Sequence, residues 1–343
     1  MRIGFVSGKR GGFGAMLPLM KEARGRGHEI RVFCTDQHLE EKFGKTVDEV
    51  SGEQVPVVEV PMGQRDDRAV ERGAAIGRGL VGLSSAFDLY PLDCVVLFGD
   101  RGETLVGAIA AHQLRIPIVH IQGGDSSGCL DDDMRHAISM LADVHFPSNP
   151  RSEKRLRRMG VKGFVRCVGD LHLDIVHERT EFHYLQGLYK VEIGGYDIVL
   201  VHPDTNEPEN AGALFSEAIS KVRCGRVLMV YPCSDQGHQA IIEAQDKLTN
   251  QVGWTSHPSI PQRDFHGLLE HAHALIGNSS AGIIECPYFD TPFIEIGNRQ
   301  KGRYRGDYGG GKAYMKVADD LEMLFARRAS VSPEEQGKAA TDV

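Results

Sequence analysis

Two kinds of segment alternate along this chain. Short apolar runs at Arg2–Ser7, Glu29–Thr35, Asp93–Phe98, Ile116–Ile121 and Val144–Pro147 are separated by stretches that read as helices, Met16–Arg24, Ala69–Ala86, Glu103–Gln113 and Asp131–Leu141. The first and fourth runs are almost continuously apolar, as parallel strands covered on both faces are. Such alternation predicts a doubly wound sheet. The cycle restarts after Gly169-Asp170-Leu171. Asp197–His202, Arg226–Tyr231, Ala274–Gly277 and Pro292–Ile296 read as strands, and Pro208–Val222, Gly237–Leu248, Gln262–His271 and Ser279–Tyr288 as helices. The expected fold is α/β, with two Rossmann-like domains, residues 1–170 and 171–343, facing a central cleft. The polar segment from Ser330 is expected to fray, and the C-terminal end to pack back on the first domain.

Composition narrows the function. A length of 343 residues suits two domains. The net charge of -8 argues against nucleic acid as a partner. It leaves room for a phosphorylated small molecule, which needs only a local cluster of donors. The 40 glycines suit tight turns and phosphate-binding loops. The seven cysteines are scattered, with no CxxC pair, which speaks against a disulfide framework or a metal site and for reduced thiols. Met1 runs directly into the first strand, and no apolar run reaches membrane-spanning length. A cytoplasmic protein with no membrane partner is therefore expected.

Ligands of α/β sheets bind beyond the carboxyl ends of the strands, so the strand exits carry the candidate chemistry. The first exit, Ser7-Gly8-Lys9-Arg10-Gly11-Gly12-Phe13-Gly14, offers glycines, a following helix N-terminus and the cations Lys9 and Arg10. A plain tight turn is the alternative, and the absence of GxGxxG leaves a dinucleotide site unsupported. At Gly99-Asp100-Arg101-Gly102-Glu103, Asp100 is a candidate acid or base beside Arg101, or simply a helix cap. His120-Ile121-Gln122-Gly123-Gly124-Asp125 is followed by Asp131, Asp132 and Asp133 at a helix start. Favourable helix-dipole placement explains at least one of these three. His202-Pro203-Asp204 would face the cleft from the opposite side, unless His202 only precedes a proline turn.

The last exit is the richest. Gly277-Asn278-Ser279-Ser280-Ala281-Gly282 leads from strand to helix, with free backbone N–H groups and two hydroxyls for a phosphate. Glu285 lies further along that helix, where a carboxylate accepts both hydroxyls of a ribose. Arg299 belongs to the cationic stretch Gly297–Arg303 and suits a diphosphate.

Taken together, GDRGE at 99–103, HIQGGD at 120–125, DDDMRHAIS at 131–139, HPD at 202–204, GNSSAGIIECP at 277–287 and IGNRQKGR at 296–303 resemble, in order, the motifs of the UDP-N-acetylglucosamine 2-epimerases. The match to the hydrolysing branch, which serves sialic-acid-type pathways, is the better one. The resemblance implies a glycosyltransferase-B-like fold, a UDP-sugar substrate, no cofactor and a homo-oligomer, dimer or tetramer. It also implies a reaction: a base removes the C2 proton, UDP leaves anti to it, and water adds to the resulting 2-acetamidoglucal to release N-acetylmannosamine. Asp100 and Asp131 would then be the acid/base carboxylates. Arg10, Arg101, His202, Ser279, Ser280, Gly282 and Arg299 would hold the diphosphate and its surroundings, and Glu285 the ribose.

Two positions depart from the family pattern, both on the sugar side. Gln122 stands where a carboxylate is frequent, and an amide does not exchange a proton. Asp125 or Asp132 takes over, the two remaining carboxylates suffice, or the substrate differs. Gly11-Gly12-Phe13 also replaces an Ala-Asp-Tyr sequence common in relatives. A sugar transferase of the same architecture and an inactive sugar-nucleotide binder are the rival readings. The acid-rich 125–133 segment favours elimination chemistry over transfer, and fold analogy alone does not decide.

Overall fold

The computed structural model describes residues 1–309 and 311–330. Two parallel sheets are built one after the other. The first holds β1 (Arg2–Ser7), β2 (Glu29–Cys34), β3 (Val57–Glu59), β4 (Cys94–Phe98), β5 (Ile118–Ile121), β6 (Val144–Phe146) and β7 (Phe164–Val165) in the order β3-β2-β1-β4-β5-β6-β7. The second holds β8 (Tyr196–Leu200), β9 (Arg226–Val230), β10 (Trp254–His257), β11 (Ala274–Gly277) and β12 (Phe293–Glu295) in the order β10-β9-β8-β11-β12. Both orders reverse direction after the first strand laid down. The crevices outside β1/β4 and β8/β11 are therefore the switch points where such sheets bind ligands.

The continuous apolar runs are the central strands: every residue of β8 is buried, and all of β5. The runs that pattern reading did not find, β3, β7 and β10, are edge strands of two to four residues, with only half-buried or exposed positions. An edge strand needs no two-faced apolar run, so it leaves little signal.

Helices differ in the same way. The helix Pro150–Met159 was not legible because only Ser152 and Leu156 are buried. Its boundaries are nevertheless chemical: Asn149 accepts from the Ser152 N–H, and Gly160 closes it at φ 72°. The glycine stretch after β1 is helix rather than loop. The helix runs Arg10–Gly25, with Gly12, Phe13 and Gly14 buried in its first turns. At Gly14 a Cβ would fall 1.4 Å from the Gln262 side chain of the second sheet's domain, so glycine here allows close packing.

The helix Ala313–Ser330 returns to the first sheet. Ala313, Val317, Ala318, Leu321 and Phe325 join a core with Met16, Leu19 and Met20. Asp174 starts this helix by accepting from the Lys312, Ala313 and Tyr314 amides. The tail beyond Ser330 and Gly310 of the 309–311 glycine run lie outside the described residues. No helix among the described residues is long and apolar enough to cross a membrane.

Candidate active site

The two switch points face each other across a cavity of about 1290 Å³, its open mouth included. The β1 exit brings Lys9 and Arg10, both half-buried. Neither side chain has a direct hydrogen-bond or ion-pair partner among the described residues. Burial pushes the Arg10 pKa down, a cost that a bound anion would reverse.

The second sheet supplies the opposite wall. Asn278, after β11, accepts from the His202 amide at 2.7 Å and donates to its carbonyl at 2.8 Å. His202 Nδ1 accepts from the Cys233 N–H at 3.0 Å, which assigns the proton of the neutral ring to Nε2. Burial first, then Arg299 and Lys9, holds His202 well below its ordinary pKa, so it offers an N–H donor rather than a charge. Ser279 and Ser280 line the wall where the helix Ala281–Ile284 begins. Glu285 is buried at the joint between that helix and the next, Cys286–Phe289, with Oε1 3.0 Å from His266 Nε2. Gly282 is off this wall: its amide bonds the Ser279 carbonyl at 3.2 Å, and a Cβ would fall 2.2 Å from the Phe293 ring. Its lack of a side chain serves packing.

On the sugar side, Asp100 lines the cavity after β4 and forms an ion pair with Arg135. Burial alone would raise its pKa, but Arg135, Lys9, Arg303 and Arg299 outweigh burial and hold it below the usual carboxylate range. Arg135 is 1% exposed and lies on the helix Asp131–Leu141, four residues after Asp131. Asp131 is half-buried beside the wall, with Oδ2 3.4 Å from Arg299 Nη2. Burial and the neighbouring carboxylates Asp235 and Asp100 push its pKa up to about 6, against Arg299 and Arg101. Gln122 lines the cavity at φ 63°, and its Nε2 donates to Asp170 at 2.7 Å.

Two expected site residues are instead committed to joining the sheets. Asp125 is off the wall, accepts from Asn149 at 2.7 Å and pairs with Arg303 at 3.1 Å. Arg101 reaches the cavity, but its guanidinium contacts Glu103 at 3.1 Å, Asp36 at 3.4 Å, Ser234 at 2.8 Å and Asp235 at 2.9 Å. Arg72 completes the group through Asp36 and Glu103. Arg101→Ala leaves Arg72 alone with the buried carboxylates of Asp36 and Glu103 and removes the ion pair of Asp235. It is expected to cost on the order of 3–5 kcal/mol, read as a fall of several degrees in melting temperature. An unchanged melting curve would show that the network bears no net weight. Arg263, at the start of the helix Gln262–His271, is paired with Glu53 at 3.0 Å and Glu178 at 2.7 Å.

Sequence reasoning assigned no role to Arg135, Asp170, His172 or Asp235. The i, i+4 spacing of Asp131 and Arg135 was the one available signal, since it sets both on one helix face.

Paired doubly wound sheets with a ligand cleft between their switch points define the glycosyltransferase-B-like class of α/β proteins. Residues 21–331 match the family model described as UDP-N-acetylglucosamine 2-epimerase. The chain is 30% identical over 313 residues to the UDP-N-acetylglucosamine 2-epimerase of Neisseria meningitidis, covering 89% of this chain and 82% of that one. It is also 30% identical over 318 residues to the UDP-N,N'-diacetylbacillosamine 2-epimerase (hydrolyzing) of Legionella pneumophila, covering 89% and 83%. A crystal structure of UDP-GlcNAc 2-epimerase from Neisseria meningitidis bound to UDP-GlcNAc superposes with a TM-score of 0.72 at 16% identity, over 94% of this chain and 100% of that one. The chain belongs to the UDP-N-acetylglucosamine 2-epimerase family.

Proposed function

We propose that this protein is a hydrolysing 2-epimerase, converting UDP-N-acetylglucosamine or a closely related 2-acetamido sugar nucleotide to UDP and the free 2-epimer. The observation that carries this reading is that one cavity brings together cations and N–H or O–H donors (Lys9, Arg10, His202, Ser279, Ser280) and the ionised Asp100.

The diphosphate leaving group is met by Lys9, Arg10 and Arg299, and the His202 N–H adds a donor without needing to titrate. Glu285 takes the ribose hydroxyls. As the C1–O bond breaks, positive charge builds at C1, which an obligately anionic Asp100 stabilises. That charge acidifies C2–H, so Asp100, although a weak base, suffices to accept the proton. Asp131, ionising near pH 6, accepts the proton of the water that then adds at C1. Gly282 and Asp125 act behind the site and Arg101 at its wall, through packing and the ion pairs that hold the two sheets together. The substrate needs no metal or nicotinamide for this chemistry, and the homo-oligomer and cytoplasmic location remain part of the proposal.

The test is proton and phosphorus NMR of the protein with UDP-N-acetylglucosamine in deuterated water, without acceptor. Free UDP and N-acetylmannosamine deuterated at C2 are expected. A bound, unchanged sugar nucleotide would favour an inactive binder, for which Gln122 is the supporting observation. UDP-N-acetylmannosamine as the end product would place the protein with non-hydrolysing enzymes.

A further inference from the structure

Gln122 leaves the sugar side of the cavity one titratable group short, and the same wall supplies another. His172 lies in the short turn Leu171–Leu173 after β7 and lines the cavity. Asp170 begins that turn. Its Oδ1 accepts from the His172 amide at 2.9 Å and from ring Nδ1 at 2.8 Å, while its Oδ2 takes the Gln122 side-chain amide at 2.7 Å. The carboxylate so fixes both residues. The ring stands edge-on to Phe98, centroids 5.2 Å apart, two residues before Asp100. Nε2 has no hydrogen-bond partner among the described residues and is not among the buried polar atoms lacking one, so it opens toward the cavity.

Inversion at C2 sets a geometric demand. The proton must leave from one face and return to the other, so one group cannot perform both transfers. Asp100 serves the departure. Gln122 has no proton to give, Asp125 is tied to Arg303, and Asp131, paired with Arg299, serves the water that adds at C1.

We propose that His172, oriented by Asp170, is the acid that delivers the proton to C2 when water adds to the 2-acetamidoglucal. This rests on the epimerase reading above. In the step, the Nε2–H bond breaks as the C1=C2 electron pair forms the new C2–H bond. The water oxygen bonds to C1, and the water proton passes to Asp131. His172 is left neutral and regains its proton from solvent. Asp170 is the positioning residue. Burial disfavours the imidazolium, but Asp170 and, across the cleft, Glu285 outweigh burial and Lys9, so the His172 pKa is raised above its ordinary 6.5. The required charged form is present below that pKa and lost above it.

The experiment compares wild type, His172→Asn, Asp170→Asn and the double variant His172→Asn/Gln122→Glu with UDP-N-acetylglucosamine. It follows UDP release, glycal accumulation, C2-deuterated product, UDP affinity and the pH profile. For His172→Asn, product formation is expected to fall about a hundredfold. Glycal should accumulate, UDP affinity should stay within twofold, and the high-pH fall of the wild-type profile should vanish. Asp170→Asn is expected to move that fall to lower pH, and the double variant to recover at least tenfold. Product formation by His172→Asn within threefold of wild type, or a parallel loss of UDP affinity, would overturn the assignment alone. A wild-type protein that binds UDP but turns over no 2-acetamido sugar nucleotide would overturn the epimerase reading and the assignment together.

Discussion

Asp100→Asn is expected to lower turnover by about a thousandfold, within the span general acid–base groups contribute, while UDP binds within threefold of wild type. Asparagine keeps the shape and the contact with Arg135 but removes the charge. Arg135 is almost completely buried, and the pair lies among Lys9, Arg299 and Arg303. That surplus of cations keeps Asp100 ionised throughout the physiological range, which suits a group that meets positive charge at C1 before it accepts a proton. An amide does neither. Single-turnover UDP release measures the effect on the first chemical step. Release at the wild-type rate would remove Asp100 from the reaction. Loss of UDP affinity together with melting temperature would show instead that the Asp100–Arg135 pair is architectural.

Arg299→Ala is expected to weaken UDP binding by about 50-fold, which corresponds to roughly 2 kcal/mol. Arg299 enters the cavity from the loop after β12, and its Nε is buried without a partner. An incoming diphosphate would satisfy that donor. The same substitution should change the pH profile. Asp131 must be ionised to take the water proton, so the rate falls as pH drops through about 6. Arg299 is one of the cations that lower this pKa, so its removal moves the acidic limb to higher pH. Isothermal titration with UDP and a kcat profile across the acid range check both parts. Unchanged affinity would exclude Arg299 as a diphosphate ligand, and an unmoved limb would separate it from Asp131.

The motifs at strand exits were readable because switch points tie residue type to place. A strand that ends in Gly-Asp-Arg or Gly-Asn-Ser-Ser puts those side chains at the mouth of a cleft whatever the distant chain does. Asp100, His202, Ser279, Ser280, Glu285, Arg10 and Arg299 were all named on that ground, and all seven line one cavity. Asp131, Asp125, Gly282 and Arg101 were named on the same ground. What they do depends on partners in other elements: Arg299 for Asp131, Arg303 for Asp125, Phe293 for Gly282, and Asp36 with Asp235 for Arg101. No local pattern encodes such partners.

The alternation of apolar runs by itself determined two doubly wound sheets, because a parallel strand buried on both faces must be apolar throughout. Only the tertiary structure decided the edge strands β3, β7 and β10 and the helix Pro150–Met159, because those segments bury one narrow face or none. It also decided which charges are free. Among the described residues Lys9 and Arg10 remain without a side-chain partner while Arg101 is fully engaged, and His172 and Asp170 gain meaning only because folding sets them against Gln122. The strand pattern is imposed by burial within each segment, and chemical availability is set by long-range pairing between segments. That is why the first could be read along the chain and the second only across it.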